Sequence, residues 1–366
     1  MYKEEQLVRI AKRENNNKRN YLVVNRLQGK HIPVVPKEAF AMFEELADCL
    51  REEYTGEKLL LVGFAETATA IGAAVAISLK AQYMQTTREP IPNVEYLFFS
   101  ESHSHATEQK LVKNDVDSVI NQVDRVIFVE DEVTTGNTIL KIVDLMEQTY
   151  GKKLCFSVAS ILNGMDASAK QIYDERNIAC HYLVKTDHAV YAEKMKDFVG
   201  DGAYFLPVKG EKKIDCKTLE ARGWADARRL VDAARYEDAC AYLWRQIAQW
   251  KNWEQEKSFL VIGTEECMYP ALYVAEQLER QGKQVVSHST TRSPIVVSSD
   301  SEYPLHTRYQ LESLYDPERK TFLYDIGTYD VVLIVTDAHV YGAEETLLQA
   351  VAMAGNSNCY LVRWCK

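Results

Sequence analysis

The chain has 366 residues, of which 46% are hydrophobic and 26% are charged. These proportions are typical of globular proteins, so the composition excludes a disordered, collagen-like or low-complexity chain. At roughly 150 residues per domain, the length predicts two to three domains. The net charge of −10 argues against a surface that binds nucleic acid through its phosphates.

Three further features predict a cytoplasmic protein. The longest apolar run, Ala70 to Leu79, is shorter than the roughly 20 residues that cross a bilayer. Residues 1–20 lack the apolar core of a secretory signal. The eight cysteines form no CxxC pair and no zinc-ligand spacing, so we expect reduced thiols. The sequence therefore indicates a small-molecule partner and no membrane or nucleic-acid partner.

An internal repeat with an offset of about 200 residues organises the chain. LLLVGFAET and FLVIGTEEC each lead from an apolar strand into a glycine turn and a helix, and each is followed by a strand that ends in TTRxPI. This relates Gly63 to Gly263 and Arg88 to Arg292. Further along, VIFVEDEVTTGNT matches VVLIVTDAHVYGAEET. A fourth pair, GKKLCFSV and GNSNCYLV, follows in each copy, and four anchors at nearly the same offset predict a duplication.

The boundary between the two copies falls in the segment LPVKGEKKIDCK (206–217), whose Gly, Pro and Lys residues are typical of a surface connection. A helical pattern follows from Trp224 to Trp250. Strands that alternate with helices predict parallel sheets. We therefore expect an α/β protein with two related Rossmann-like parallel-sheet domains, over residues 1–210 and 219–366.

The segment 126–138 carries the clearest chemistry. Glu130 and Asp131 follow four apolar residues, and TTGNT then leads into a helix. The N–H groups of a helix that begins at the carboxyl end of a parallel strand favour an anion, and Gly136 lets the backbone close around a phosphate. The acidic pair would repel that phosphate unless it contacts a ribose diol with Mg²⁺ nearby. The predicted ligand is a ribose 5-phosphate with pyrophosphate at carbon 1, and the other residues of the phosphate cradle are Thr134, Thr135, Asn137 and Thr138.

This segment resembles the phosphoribosyl pyrophosphate (PRPP) signature of the type I phosphoribosyltransferases. The resemblance implies the fold of that family, PRPP as a substrate and Mg²⁺ as the cofactor. It also implies that Glu130 and Asp131 are catalytic, and that they contact the metal indirectly, through the ribose and water. The purine-salvage branch has an aspartate where this chain has Thr134, which argues against salvage of hypoxanthine or guanine.

Other segments of the first repeat are similar to further parts of the family. The turn GFAET lies where the family has its pyrophosphate loop, and a plain helix-capping turn is the alternative. TTREP followed by FFSESHSHATEQK resembles the mobile loop of the orotate-type enzymes. This resemblance implies that Arg88 contacts pyrophosphate and that His103 or His105 donates to the leaving group, although Ser and His also alternate in ordinary surface loops. The residues implied for the pyrophosphate loop are Phe64, Ala65, Glu66 and Thr67.

At the scale of the whole chain, the sequence is similar to a fusion family that joins an orotate-type phosphoribosyltransferase to a TRSP domain. That family is encoded in bacterial tellurite-resistance (Ter) stress operons, which implies the biosynthesis of a nucleoside-like metabolite. The acceptor is not evident from the residues. Lys30 and His31, in the segment GKHIP, are either part of a hood over the acceptor or a structural turn.

The second repeat keeps the scaffold and changes the site. One carboxylate of the acidic pair and the paired threonines are absent, and Glu344 and Glu345 would repel a phosphate at the start of the next helix. Glu266, Arg292 and Asp337 remain. We therefore predict either a second ligand site or a role in scaffolding or dimerisation, with a homodimer as one arrangement.

Three functions compete at the first site. The leading one is an enzyme, a pentosyltransferase that ribosylates a small acceptor and releases pyrophosphate. The others are a non-catalytic PRPP-binding regulator or sensor, and phosphorolysis or hydrolysis of a ribosyl compound. Arg88, His103 and His105 favour the enzyme, because a sensor has less need of a loop that neutralises a leaving group.

Overall fold

The computed structural model describes residues 2–14, 19–99, 109–151, 154–195, 198–211 and 214–366. Its helices are α1 (Glu4–Leu7), α2 (Pro36–Arg51), α3 (Thr69–Leu79), α4 (Lys113–Val119), α5 (Asn137–Tyr150), α6 (Ala167–Glu175), a 3-10 turn (His188–Val190), α7 (Tyr191–Lys194), α8 (Ala233–Trp250), α9 (Met268–Arg280) and α10 (Glu345–Met353). Its strands are β1 (Val8–Lys12), β2 (Tyr21–Asn25), β3 (Leu59–Gly63), β4 (Gln82–Gln85), β5 (Tyr96–Phe99), β6 (Gln109–Val112), β7 (Arg125–Val133), β8 (Cys155–Asn163), β9 (Ala179–Lys185), β10 (Ala203–Phe205), β11 (Cys216–Ala221), β12 (Val231–Asp232), β13 (Ser258–Gly263), β14 (Gln284–Ser289), β15 (Thr307–Glu312), β16 (Lys320–Tyr324), β17 (Val331–Thr336) and β18 (Cys359–Trp364).

The chain packs as two units that differ from two contiguous stretches of sequence. Unit 1 consists chiefly of Ala41–Thr186 and Ala225–Asp238. Unit 2 consists of Lys3–Phe40, Asp187–Trp224 and Ala239–Lys366. The expected division into residues 1–210 and 219–366 follows the repeat. In the packing, residues 3–40 of the first repeat belong to unit 2, and residues 225–238 of the second repeat belong to unit 1.

Unit 1 is built on a six-stranded sheet in the order β12-β4-β3-β7-β8-β9, in which only β12 is antiparallel to its neighbour. Every residue of β3 is buried, as expected for a central strand covered on both faces. Helix α5 buries four apolar residues at helical spacing. A two-stranded hairpin, β5–β6, follows β4 along the chain.

Unit 2 repeats this arrangement. Its parallel sheet has the order β11-β18-β17-β13-β14, which matches β9-β8-β7-β3-β4 of unit 1 position by position. The hairpin β15–β16 corresponds to β5–β6, and β10 adds a third strand to it. The prediction of two related parallel-sheet α/β domains is confirmed.

Equivalent segments border the two sheets, and each comes from the other repeat. Val231 of β12 pairs antiparallel with Tyr83 of β4 in unit 1. Val34 pairs antiparallel with Ser287 of β14 in unit 2. Since Tyr83 and Ser287 are equivalent in the repeat, Val34 and Val231 occupy equivalent places. The two repeats have therefore exchanged the short segments that precede α2 and α8.

The run from Ala70 to Leu79 forms most of helix α3, which is 11 residues long. Among the described residues, none of the helices combines the length and the apolar character that a bilayer crossing requires. All eight cysteines are free thiols.

Candidate active site in unit 1

The acidic segment lies within the last four residues of β7, at the carboxyl edge of the sheet. Glu130, Asp131 and Glu132 are each partly exposed there. The hydroxyl of Thr67 donates to Asp131 Oδ1 at 2.8 Å. Glu132 is a third carboxylate that the sequence analysis did not single out. The edge of β7 thus presents a concentrated negative charge beside the turn that follows β3.

The environment of Asp131 changes its acidity. Burial raises the pKa of the Asp131 carboxyl to about 6, and the charge of Glu132 raises it further. The hydrogen bond from Thr67 lowers this pKa and only partly offsets the rise. An ionised Asp131 is therefore poorly solvated, so a hydroxyl donor or a cation beside it would be stabilising.

The TTGNT segment forms the start of helix α5. Gly136 has φ +71° and precedes the first helical residue, Asn137. The Tyr173 hydroxyl donates to the Gly136 carbonyl at 2.7 Å, and a Cβ on Gly136 would lie 2.4 Å from that hydroxyl oxygen. Thr135 and Asn137 are exposed, and Thr134 is partly exposed. The cradle therefore presents a helix N-terminus and polar side chains to solvent, and it has no space for a side chain at Gly136.

The GFAET turn lies beside the acidic segment, but its residues differ in what they offer. The Phe64 N–H donates to the Val129 carbonyl at 3.0 Å, and its buried ring packs on other aromatic side chains. The Ala65 N–H donates to Thr86 Oγ1 at 2.8 Å. Phe64 thus lies in the turn that the resemblance assigns to pyrophosphate, and its N–H and its ring are both used inside the protein. Ala65, Glu66 and Thr67 form the turn that faces the carboxylates.

The TTR turn follows β4 and closes on the same loop. The Thr86 N–H donates to the Gly63 carbonyl at 2.9 Å, and Thr87 pairs with Lys110 at the base of β6. Arg88 comes next and is partly exposed. The structure thus brings the TTR turn to the GFAET turn. His103 and His105 lie outside the described residues.

Lys30 and His31 belong to unit 2 and are both buried, which fits the alternative of a structural turn. Lys30 is fully buried, and its ammonium donates to the carbonyls of Glu265 at 3.1 Å and Thr290 at 2.9 Å. The exchange of edge segments attaches residues 3–40 to the second sheet.

Unit 1 receives residues 225–238 instead. The Gln85 N–H, at the end of β4, donates to the Ala227 carbonyl at 2.7 Å. Arg229 forms a two-pronged ion pair with Asp115 of α4, with N···O distances of 2.6 and 2.8 Å. The Leu230 N–H also donates to Asp115. This segment therefore lies between the strand that leads to the TTR turn and the helix that follows hairpin β5–β6.

The Arg229–Asp115 pair gives a prediction for stability. Arg229→Ala is expected to lower the free energy of unfolding by about 1–3 kcal/mol, because it leaves a largely buried carboxylate without its cation. Chemical denaturation monitored by circular dichroism measures this. Arg235→Ala, at an exposed position on the same segment, is the matched control and should change stability by less than about 0.5 kcal/mol. Equal effects of the two variants would contradict the proposed anchoring.

Glu266, Arg292 and Asp337, which the second repeat shares with the first, all lie in unit 2. Arg292 Nη2 lies 3.6 Å from Glu266 Oε1. Asp337 accepts hydrogen bonds from the Tyr315 hydroxyl at 2.5 Å and from the Trp224 indole N–H at 3.4 Å. Glu266, Arg292 and Asp337 are all engaged in contacts inside unit 2.

The residues of unit 1 suit an indirect Mg²⁺ site. Within the described ranges, no group of three or more His, Cys, Asp or Glu side chains is arranged to hold a metal ion. Carboxylate oxygens are nevertheless the protein ligands that Mg²⁺ prefers, and Mg²⁺ commonly binds together with substrate phosphates. The desolvated carboxylate of Asp131 fits a cation that arrives with a phosphorylated substrate.

Sequence reasoning missed two contributors to the site. Tyr173 closes the space behind Gly136, and nothing in its local sequence indicates this contact. Residues 225–230 border the site from the second repeat. Their equivalence to the segment around Lys30 could have indicated this, because both precede a long helix at the same place in the repeat.

Parts of the chain match known protein families and solved structures. Residues 7–192 match a family model described as phosphoribosyl transferase, PRTase_2, and residues 227–351 match the TRSP domain that lies C-terminal to it. No curated protein matches the chain. Solved structures with a similar fold include adenine phosphoribosyltransferase from Rhodothermus marinus, with 15% identity and a TM-score of 0.35 over 50% of this chain and 96% of that chain. The enzyme of the same name from Trypanosoma brucei, solved with AMP, pyrophosphate and ribose-5-phosphate, has 14% identity and a TM-score of 0.35 over 53% of this chain and 80% of that chain.

The parallel sheet, the glycine cradle and the acidic edge define an α/β protein with a candidate anion site at the carboxyl ends of its strands. Because the family model spans about half of the chain, the chain belongs to the phosphoribosyl transferase family PRTase_2. It is an enzyme of the phosphoribosyltransferase class that uses PRPP, and its second repeat is a TRSP domain.

Proposed function

We propose that unit 1 transfers the phosphoribosyl group of PRPP to a small acceptor and releases pyrophosphate, with Mg²⁺ as the cofactor. The observation that carries this proposal is the Thr67–Asp131 hydrogen bond of 2.8 Å. It joins the loop assigned to pyrophosphate with the carboxylate assigned to ribose. The cradle assigned to the 5-phosphate begins three residues after Asp131, so one edge of the sheet serves all three parts of PRPP.

The substrate would lie along the carboxyl edge of β7. The N-terminus of α5 and the side chains of Thr134, Thr135 and Thr138 would bind the 5-phosphate. Glu130 and Asp131 would accept hydrogen bonds from the ribose hydroxyls. Two segments would surround the pyrophosphate, namely residues 65–67 and Arg88.

In the reaction, the bond from carbon 1 to the pyrophosphate oxygen breaks, and a bond from carbon 1 to the acceptor forms. Positive charge develops on the ribose ring in the transition state, so the carboxylate of Asp131 stabilises it electrostatically. The Arg88 guanidinium neutralises charge on the departing pyrophosphate. When bound, Mg²⁺ supplies further neutralisation of the pyrophosphate oxygens.

The acidity of Asp131 predicts how binding depends on pH. PRPP affinity of the wild type should fall as the pH drops through 6, because a protonated Asp131 no longer accepts the ribose hydroxyls well. Isothermal titration from pH 5 to pH 8 in the wild type and in Asp131→Asn measures this. The ratio of the wild-type affinity to the variant affinity cancels the titration of PRPP itself. This ratio should approach one at low pH. A ratio that does not vary with pH would contradict the assignment.

The decisive experiment is incubation of the full-length protein with PRPP, Mg²⁺ and a metabolite extract. We expect pyrophosphate to appear together with a new ribosylated mass, and neither should appear with Asp131→Asn. Binding of PRPP without turnover in any extract would favour a PRPP sensor. Loss of a ribosylated metabolite from the extract would indicate the reverse reaction.

The pathway and location complete the proposal. The pairing of a phosphoribosyltransferase with a TRSP domain supports a nucleoside-like product, made by the stress-operon module that the sequence resemblance implies. The free thiols suit a reducing compartment, so we place the enzyme in the cytoplasm.

A further inference from the structure

The loop that follows β13 in unit 2 contains a buried carboxylate with an unusual set of donors. Glu265 is 1% exposed. Its Oε2 accepts from Arg292 Nε at 2.7 Å and lies 2.9 Å from Arg319 Nη2, and its Oε1 accepts from the Ser313 hydroxyl at 2.5 Å. Two guanidinium groups and a hydroxyl on one anion form the kind of arrangement that binds phosphate or carboxylate ligands.

Arg292 lies at a position that corresponds to the candidate active site of unit 1. Arg292 is the repeat equivalent of Arg88, in the TTR turn. Arg319 lies in the connection of hairpin β15–β16, which corresponds to hairpin β5–β6. The TTR turn is one of the two segments proposed to surround pyrophosphate in unit 1, and the connection of β5–β6 lies outside the described residues. In unit 2 their cations converge on a carboxylate of the protein itself.

The two loops share one hydrogen bond at this point, although Glu265 has φ +45° and Ala65 does not adopt a positive φ. The Ala65 N–H donates to Thr86 Oγ1 at 2.8 Å, and the Glu265 N–H donates to Thr290 Oγ1 at 3.0 Å. Ala65 and Glu265 therefore occupy equivalent positions. Unit 1 therefore carries a methyl group at the position where unit 2 carries a carboxylate. Lys30 further fixes the loop by donating to the Glu265 carbonyl.

The other acidic residue of the loop does not explain the difference. Glu266 is buried, and its Oε1 lies 3.6 Å from Arg292 Nη2. Its equivalent, Glu66, is also a buried glutamate in unit 1. The change from alanine to glutamate at position 265 is therefore the one that places a negative charge between the arginines.

We propose that the Glu265 carboxylate takes the place of pyrophosphate in unit 2, so this unit retains an anion site that its own side chain keeps closed. Removal of that side chain should open the site to inorganic pyrophosphate or phosphate. The comparison with Ala65 rests on the function proposed for unit 1, whereas the closed site in unit 2 stands on its own contacts.

Isothermal titration of inorganic pyrophosphate into the full-length chain tests the proposal. Glu265→Ala is expected to bind one more equivalent than the wild type, and the added Arg292→Gln change should abolish the gain. Glu265→Gln is the matched control, since it fills the same space and should gain no equivalent. A folded Glu265→Ala variant that gains none would overturn the proposal, as would a wild type that loses an equivalent on Arg292→Gln.

Thermal unfolding covers the case in which Glu265→Ala is too unstable to titrate. Pyrophosphate or formate should raise its melting temperature by about 3 °C or more, relative to the shift in the wild type. No difference in these shifts would count against the proposal. The reverse change, Ala65→Glu, should weaken pyrophosphate binding in unit 1 at least 100-fold. If the wild type binds no pyrophosphate, the function proposed for unit 1 fails, and the gain in Glu265→Ala still decides the present proposal.

Discussion

Asp131→Asn should give a protein that is more stable than the wild type at pH 8 and that loses at least about 100-fold of its PRPP-dependent pyrophosphate release. The loss follows because asparagine cannot stabilise the positive charge on the ribose. The gain follows because burial raises the pKa of Asp131 to about 6. Its ionised form therefore destabilises the folded chain.

The sign of the stability effect follows from linkage. The pKa of Asp131 is about 6 in the folded chain and about 3.9 in an unfolded one. Folding therefore takes up a proton between these values, and stability falls as the pH rises through them. Above pH 6 the ionised carboxylate costs about 1–3 kcal/mol, and below pH 4 it costs nothing. The advantage of Asp131→Asn should follow the same course.

Asp166→Asn is a control of opposite sign. Asp166 caps helix α6, and hydrogen bonds from Ala169 and Ser168 lower its pKa. Its ionised form therefore stabilises the folded chain above the unfolded pKa, and this contribution is lost as the pH falls. As the pH is raised from 4 to 8, the melting temperature of Asp131→Asn should rise relative to that of the wild type. The melting temperature of Asp166→Asn should show no such rise. A destabilised Asp131→Asn variant at pH 8 would contradict the assignment.

Gly136→Ala should weaken PRPP binding by at least about 100-fold, because the added methyl group meets Tyr173 at 2.4 Å and displaces the start of α5. Gly151→Ala is the matched control. Gly151 ends the same helix with φ +55°, and a Cβ there meets nothing within 4 Å. Both variants carry the left-handed backbone cost of about 1 kcal/mol. Only Gly136→Ala carries the steric conflict.

Titration of PRPP into both variants separates the two effects. Gly151→Ala should bind PRPP as the wild type does and lose only about 1 kcal/mol of stability. If Gly136→Ala bound PRPP with wild-type affinity, the 5-phosphate would have to lie elsewhere.

The sequence predicted the parts of the structure that depend on local pattern. Residue type and spacing indicate apolar strands such as β3, and they also indicate the TTGNT turn. Both sheets and the cradle were therefore predictable. The role of Phe64 was not, because the resemblance assigns a whole loop, whereas packing decides that this ring faces the core. Tyr173 contacts Gly136 from 37 residues away, and no local pattern encodes that distance.

The division into units also lay beyond the sequence. A repeat shows which segments correspond, but it does not show which sheet a segment joins. Val34 and Val231 occupy equivalent places in the two repeats, and each pairs antiparallel with the edge strand of a sheet. The repeat alone does not show which of the two sheets each residue borders. Glu265 was overlooked for a related reason. Its significance depends on two arginines that converge on it from other loops.

The exchanged edge segments make the sheet of unit 1 depend on a segment of the second repeat. Residues 225–238 are encoded by the second repeat, yet Arg229 anchors them to Asp115 in unit 1. A deletion that removed the second repeat would also remove this border from the active unit. We therefore expect that unit 1 depends on the second repeat for one border of its sheet.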